Sequence, residues 1–271
     1  MSQQTVIDEP AEDLIPRPDI SHLVTEDDTP VDNLFSEKQM RLLADSLYNG
    51  WSGPSDGRPF LAATDVALYY GLNTPPLVPD LLLSLGVTPP GDPKPKENRS
   101  YFVWEYGKAP DLVVEIVSNR KGGELGDKLL DYARAGVGYY VVFDPFHELG
   151  EEPLRAFTRR GNRFHETADR WLEEVELGLL LWEGPYEGWP PTLWLRWVNR
   201  SGALIPTGAE ALAAASQRAE AARQQAEAAR QQAEAARQQA EAAEHQASQE
   251  RHLREELLAK LRERGIDPDT L

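Results

Sequence analysis

The 271-residue sequence contains no cysteine. That absence excludes disulfides, thiolate metal sites and cysteine nucleophiles, and it fits a reducing, cytoplasmic setting. No run approaches the ~18 uninterrupted apolar residues that a membrane-spanning helix needs. The opening MSQQTVIDEPAEDLIP is acidic and lacks the apolar stretch of a signal peptide. A soluble protein with no membrane partner is therefore expected. Five histidines (His22, His147, His165, His245 and His252) are scattered without ligand spacing. No G-x-S-x-G motif occurs, and the glycines of KGGELG are not followed by the Lys-Ser/Thr of a phosphate-binding loop. A basic footprint is missing as well: 45 acids face 28 bases, for a net charge of -17. Sequence-independent binding to nucleic acid is disfavoured by that balance. A carboxylate metal site is not, because it adds acids that a divalent ion offsets.

What is present divides the chain into parts. Residues 1–36 hold nine acids against one arginine and little apolar periodicity, so residues 1–35 read as an acidic, disordered tail. Residues 36–200 read as the folded domain. It opens on SEKQMRLLADSLYNGW, where Ser36 is the expected N-cap, Glu37 sits in the first turn, and Met40, Leu42, Leu43 and Leu47 form an apolar side. Apolar runs cut by Gly and Pro follow. FLAATDVALYYG, VPDLLLSLGV, YFVWEY, DLVVEIVS and YYVVFDP are expected strands, with more at LRAFTR, RFHETA, VELGLLLW and TLWLRWV. ELGDKLLDYARAG is an expected amphipathic helix with Leu125, Leu129, Tyr132 and Ala133 on one side and Gly136 at its end. Strands mixed with helices over this length imply an α/β or α+β domain. The late cluster Trp182, Trp189, Trp194 and Trp197 reads as packing, because base-stacking platforms come with basic neighbours.

After a linker at 201–208, residues 209–264 change in kind. AEAARQQ recurs at Ala219, Ala226 and Ala233, and AEAAEHQ follows at Ala240. This strict heptad is built from strong helix formers. Glu220, Glu227 and Glu234 each precede an arginine by three residues, which supports a helix. Alanine at both a and d buries little area, so the seam is weak until Leu253, Leu257 and Leu261. A solvated single helix and a coiled-coil arm joining copies of the chain both fit. Arg264-Gly265 and Asp267-Pro268 are expected to stop the helix, leaving 265–271 as a tail.

The residues with chemistry lie in the middle domain. If DLVVEIVS is a strand, Asp111, Val113, Glu115 and Val117 share one face. Asp111 and Glu115 are then about 13 Å apart, too far to hold one ion together. Glu115 sits amid Val113, Val114, Ile116 and Val117, where an unpaired carboxylate is costly to bury. Its partner must come from another strand, and Asp80 of VPDLLLSLGV opens one. Two such acids suit Mg²⁺ or Mn²⁺, which prefer carboxylate oxygen and water. Lys128, on the helix after the Glu115 strand, borders its buried side and is either a surface lysine or a charge beside that site. Asp80 and Asp111 both follow proline, so turn chemistry is the competing reading for each, as it is for Asp144 before Pro145.

The succession VPDLLLSLGV, APDLVVEIVS, GDKLLDYARAGVGYYVVFDP resembles the Uma-two family of nuclease-like proteins, of the PD-(D/E)XK superfamily, over roughly residues 30–200. The resemblance implies a restriction-endonuclease-like α/β fold, a mixed sheet flanked by helices, with a metal-dependent site acting on DNA. On that basis Asp80 corresponds to the metal aspartate and Glu115 to the acid of (D/E)XK. The motif's lysine position holds Val117 instead, and the following helix supplies Lys128. Glu37 resembles an additional metal-site acid of the superfamily. The rival reading is a nuclease fold without catalysis, serving as an assembly module through the heptad helix.

Overall fold

The computed structural model describes Asp19, residues 33–119 and residues 123–263. The rest of the acidic tail, and the helix stop expected at Arg264-Gly265, lie outside the described residues.

Helix α1 spans Leu34–Asn49. It begins earlier than expected, because Asn33 and not Ser36 is its cap: the Asn33 side chain accepts the Ser36 amide at 2.9 Å. An asparagine three residues upstream thus satisfies an amide of the first turn. FLAATDVALYYG is not one strand but two, β1 (Phe60–Ala63) and β2 (Leu68–Tyr69). The break falls at Asp65, whose φ of 55° no strand accommodates. Strand β3 is Leu81–Leu85, and β4 is only Tyr101–Phe102. The remainder of YFVWEY turns into a short helix, α2 (Val103–Tyr106), closed by Gly107 at φ 71°.

Strand β5 (Leu112–Ile116) leads through α3 (Asp127–Ala135) to β6 (Tyr139–Phe143). Gly136 ends α3 at φ 91°. Leu125 falls in the turn before α3 and is 39% exposed, so the apolar side of that helix is Leu129, Tyr132 and Ala133. Then come β7 (Leu154–Arg160), β8 (Arg163–Thr167), β9 (Trp171–Leu172), β10 (Leu177–Tyr186) and β11 (Trp189–Val198).

Six strands form the central sheet in the order β1-β3-β5-β6-β7-β8. Only β5 and β6 run parallel, as a crossover through α3 requires; the other neighbours are antiparallel. The sheet is therefore mixed, with a helix on each face. Alternation sorts its side chains. Leu81, Leu83, Leu112, Val114, Ile116, Val141 and Phe143 join Leu42, Leu43 and Leu47 of α1 and Trp194 and Trp197 of β11 in one core. Leu82, Val113, Val117, Tyr140 and Val142 join Tyr132 and Ala135 of α3 in a second.

The second sheet, β11-β10-β9, is tied to α1 by polar bonds as well as packing. Gln39 is fully buried; its amide donates to the Leu195 carbonyl and accepts the Leu195 N–H, both at 2.9 Å. The Trp197 indole N–H donates to the Leu43 carbonyl at 3.1 Å. The four tryptophans pack in or against the α1 core, and the one basic group seen stacked on them, Arg196 over the Trp182 ring at 5.0 Å, is itself buried.

Contacts divide the chain into two units, 1–209 and 210–271. Helix α4, Gly208–Glu263, has 56 residues, none of them buried. At 1.5 Å per residue its length is about 84 Å. No helix among the described residues is long and apolar enough to cross a membrane.

Candidate active site

The site is built by two strand ends and one helix face. Glu115 is the fourth residue of β5 and points to the α3 side of the sheet, as do Val113 and Val117. Strand β3 runs antiparallel beside it, with Leu81 paired to Val114. One step further along that register Asp80 stands opposite Glu115, and directly opposed residues share a face with Cβ atoms roughly 5 Å apart. The Asp80 carboxylate also accepts the Ile116 amide at 2.5 Å, which fastens the end of one strand to the other.

Helix α3 covers this corner. Lys128 and Tyr132 are one turn apart and both reach Glu115. The Lys128 ammonium lies 2.8 Å from Glu115 Oε2, and the Tyr132 hydroxyl donates to Glu115 Oε1 at 2.5 Å. Lys128 also lies 3.4 Å from Glu124 Oε1. Glu115 is only 2 % exposed and Glu124 5 %. Glu124 Oε2 is a buried oxygen without a hydrogen-bond partner among the described residues.

Electrostatics follow from this packing. Burial pushes the Glu115 carboxyl above the usual carboxylate range, against the opposing pull of Lys128 and Tyr132. Burial lowers Lys128, but Glu115, Glu124 and Asp80 outweigh it and hold the ammonium above the ordinary lysine value. Tyr132 is pushed well up by burial and by Glu115, so it remains a hydroxyl donor. Three carboxylates thus surround one ammonium, and the surplus negative charge favours a cation.

Of the residues singled out in the sequence, the structure brings together Asp80, Glu115 and Lys128. Glu37 stands apart. It lies on α1, which covers the opposite face of the sheet, and it pairs with Arg41 and, at 3.6 Å, with Lys38. An open cavity of about 530 Å³ on that side is lined by Glu37, Arg41, Asp45, Tyr48 and Asp65 and includes none of the three. A buried carboxylate with assembled partners marks a chemical site better than an open hollow does. Asp111 is also separate. Its carboxylate accepts the Leu85 amide at 2.7 Å and pairs with Lys108 at 2.5 Å, at the opposite end of β5. Asp144 accepts the Glu148 and Leu149 amides at 2.9 and 2.7 Å, which is the turn chemistry expected before Pro145. Val117 is fully buried in the apolar core, where a lysine would have no access to solvent.

Sequence reading missed Glu124 and the bond made by Tyr132. A signal existed: Glu124, Lys128 and Tyr132 recur every four residues, the spacing of one helical face. Glu124 itself precedes the helix, in a turn pinned by the buried Tyr140 hydroxyl, which donates to the Glu124 carbonyl at 2.9 Å.

Among the described residues no group of three or more His, Asp or Glu side chains could hold a metal ion. Asp80 and Glu115 nonetheless suit a hard divalent ion. Mg²⁺ keeps several waters and is commonly held by one or two carboxylates together with substrate phosphate oxygens.

The family model described as "Uma2: putative restriction endonuclease" matches residues 25–177. Among curated proteins none matches the chain. A crystal structure titled as a putative nuclease from Anabaena variabilis shares 14% identity over 53% of this chain and 71% of that one. Its TM-score of 0.34 is too low for the likeness to bear on the site. The matched segment is more than half of the chain and contains Asp80, Glu115 and Lys128, and the chain belongs to the Uma2 family of putative restriction endonucleases.

Proposed function

We propose that the chain is a Mg²⁺- or Mn²⁺-dependent endonuclease that hydrolyses DNA phosphodiester bonds at a PD-(D/E)XK-like site. The observation that carries this reading is the convergence of Asp80, Glu115 and Lys128 at the adjoining ends of β3 and β5. Asp80 and Glu115 would hold the ion. When bound, a divalent ion supplies Lewis acidity toward phosphate oxygen and lowers the pKa of a water nucleophile. Tyr132 fixes one Glu115 oxygen by its hydroxyl, so the carboxylate presents a defined edge. Lys128 keeps a positive charge within reach of the site, where it offsets charge developing on phosphate. Val117, in the lysine position of the motif, leaves that task to α3.

The test is cleavage of plasmid and single-stranded DNA with Mg²⁺ or Mn²⁺, comparing the wild type with Glu115→Ala. Nicking that requires metal and disappears in the variant is the expected result. Folded wild type that cuts nothing with any divalent metal would sink the catalytic reading and leave a nuclease fold used for assembly.

Helix α4 favours a second role alongside the first. It has a heptad of small residues, and Leu253 and Leu257 are each 63% exposed with no buried residue anywhere on the helix. We propose that it joins copies of the chain as a coiled coil. Sedimentation of the full chain should then give a mass above one protomer, and Leu253→Glu with Leu257→Glu should return it to one.

A further inference from the structure

Glu124 is a buried carboxylate that the reading above does not use. Its side chain is 6% exposed, close to the 3% of Glu115, whereas Lys128 between them is 33% exposed. One Glu124 oxygen reaches Lys128 at 3.4 Å, and the other has no hydrogen-bond partner among the described residues. A buried carboxylate so poorly paired is costly. The backbone does not let it escape. Gly123 turns at φ 73°, the Gly126 and Lys128 amides both donate to the Gly123 carbonyl, and the Tyr140 hydroxyl holds the Glu124 carbonyl. The fold therefore spends stability to keep a second acceptor beside Lys128.

Occupancy of Glu115 suggests why. Both of its oxygens are taken, one by Lys128 and one by Tyr132. Tyr132 is neutral and its bond is compatible with a cation on the other oxygen. Lys128 is not, because an ammonium 2.8 Å from Oε2 occupies the place a metal needs and repels it. Lys128 is the fourth residue after Glu124 and already spans both carboxylates, so a small movement of its flexible end exchanges one partner for the other.

On the proposed metal site, we infer that Glu124 is a positioning residue: it receives the Lys128 ammonium when a divalent cation takes Glu115, and so keeps the lysine charged and beside the site. Direct ligation by Glu124 is the competing role, and the absence of any cluster of three metal-competent side chains among the described residues argues against it.

A cycle of variants separates the two roles by Mn²⁺ affinity, measured by calorimetry on the full chain without DNA. Glu124→Gln should weaken Mn²⁺ binding roughly tenfold, because Lys128 is left with Glu115 as its nearest acceptor. In a Lys128→Gln background the same change should alter affinity by less than about twofold, since no ammonium then needs a place. Equal losses in both backgrounds would overturn the inference and make Glu124 a ligand. Equal affinity of Glu124→Gln and wild type would also overturn it. A wild type that binds no Mn²⁺ fails earlier, at the metal site itself, and takes the inference with it. A second measurement needs no Glu124 variant. In wild type with ¹⁵N-labelled lysine, the Lys128 Nζ resonance, assigned through Lys128→Gln, should shift on Mg²⁺ saturation while remaining that of a charged ammonium. An unmoved resonance would overturn the exchange of partners.

Discussion

The two faces of the central sheet share the strand β5 and differ in what they ask of it. Leu112, Val114 and Ile116 point toward α1 into a core of leucine, valine and tryptophan. Val113, Glu115 and Val117 point toward α3, and there a carboxylate replaces an apolar side chain at full burial. Burial of apolar area stabilises the first face, where none of these three β5 side chains carries a charge to desolvate. On the second face, Glu115 is desolvated and only partly compensated by Lys128 and Tyr132. Buried ion pairs of this kind are weak sources of stability and costly to break. Stability is therefore concentrated on the α1 face, and the proposed function places its chemistry on the α3 face, with a single strand serving both.

Substitutions on each face can break or sharpen that contrast. Trp197→Ala on the α1 face removes a fully buried indole and its bond to Leu43. It should cost about 3–5 kcal/mol in denaturant unfolding, with little change in cleavage per folded molecule. Lys128→Met on the α3 face should cost about 2–3 kcal/mol, less than a fully buried pair, because the lysine is one-third exposed. Cleavage should fall with it.

Glu115→Gln should behave in the opposite way, abolishing cleavage while raising stability by about 1 kcal/mol at neutral pH. The sign follows from the raised pKa. A carboxyl whose folded-state pKa lies above its unfolded value contributes stability below that unfolded value and loses it as pH rises through the folded pKa. The advantage of glutamine should therefore be present at neutral pH and shrink toward zero in acid, which thermal melts at several pH values would show. A Gln variant that is less stable at every pH would mean that Glu115 is a net structural asset and that the contrast between the faces is wrong. Smallest of all, Glu37→Gln should change stability by less than about 0.5 kcal/mol and leave cleavage intact, because its ion pairs are exposed and lie on the other face.

Much of this arrangement was legible before the structure. The apolar runs of β3, β5 and β6 announce a buried sheet, and Glu115 is conspicuous because nothing around it is polar. Alternation along β5 places it on one face, and the spacing of α3 puts Lys128 on the border of a buried side. Other features depend on information that is not local. Which face of a sheet a helix covers cannot be read from the helix, so the resemblance that makes Glu37 a candidate carries no sign that the fold places it on the other face. YFVWEY has strand composition throughout, yet only Tyr101 and Phe102 find a partner in β2 before the chain turns into α2. Glu124 was hidden among glycines that look like an ordinary loop. Its significance appears only when α3 docks and brings a residue nine positions after Glu115 back against it.

Gln39 has a consequence of a different kind. β11 is an outer strand of its sheet, and an outer strand offers unpaired amides and carbonyls to any passing chain. The Gln39 side chain takes both main-chain groups of Leu195, and Ile205 donates to the Trp197 carbonyl two residues on. One amide on a helix thus poses as a neighbouring strand. With those groups taken, a passing chain finds no partner at Leu195, so the loss of Gln39 should show first as precipitation during refolding.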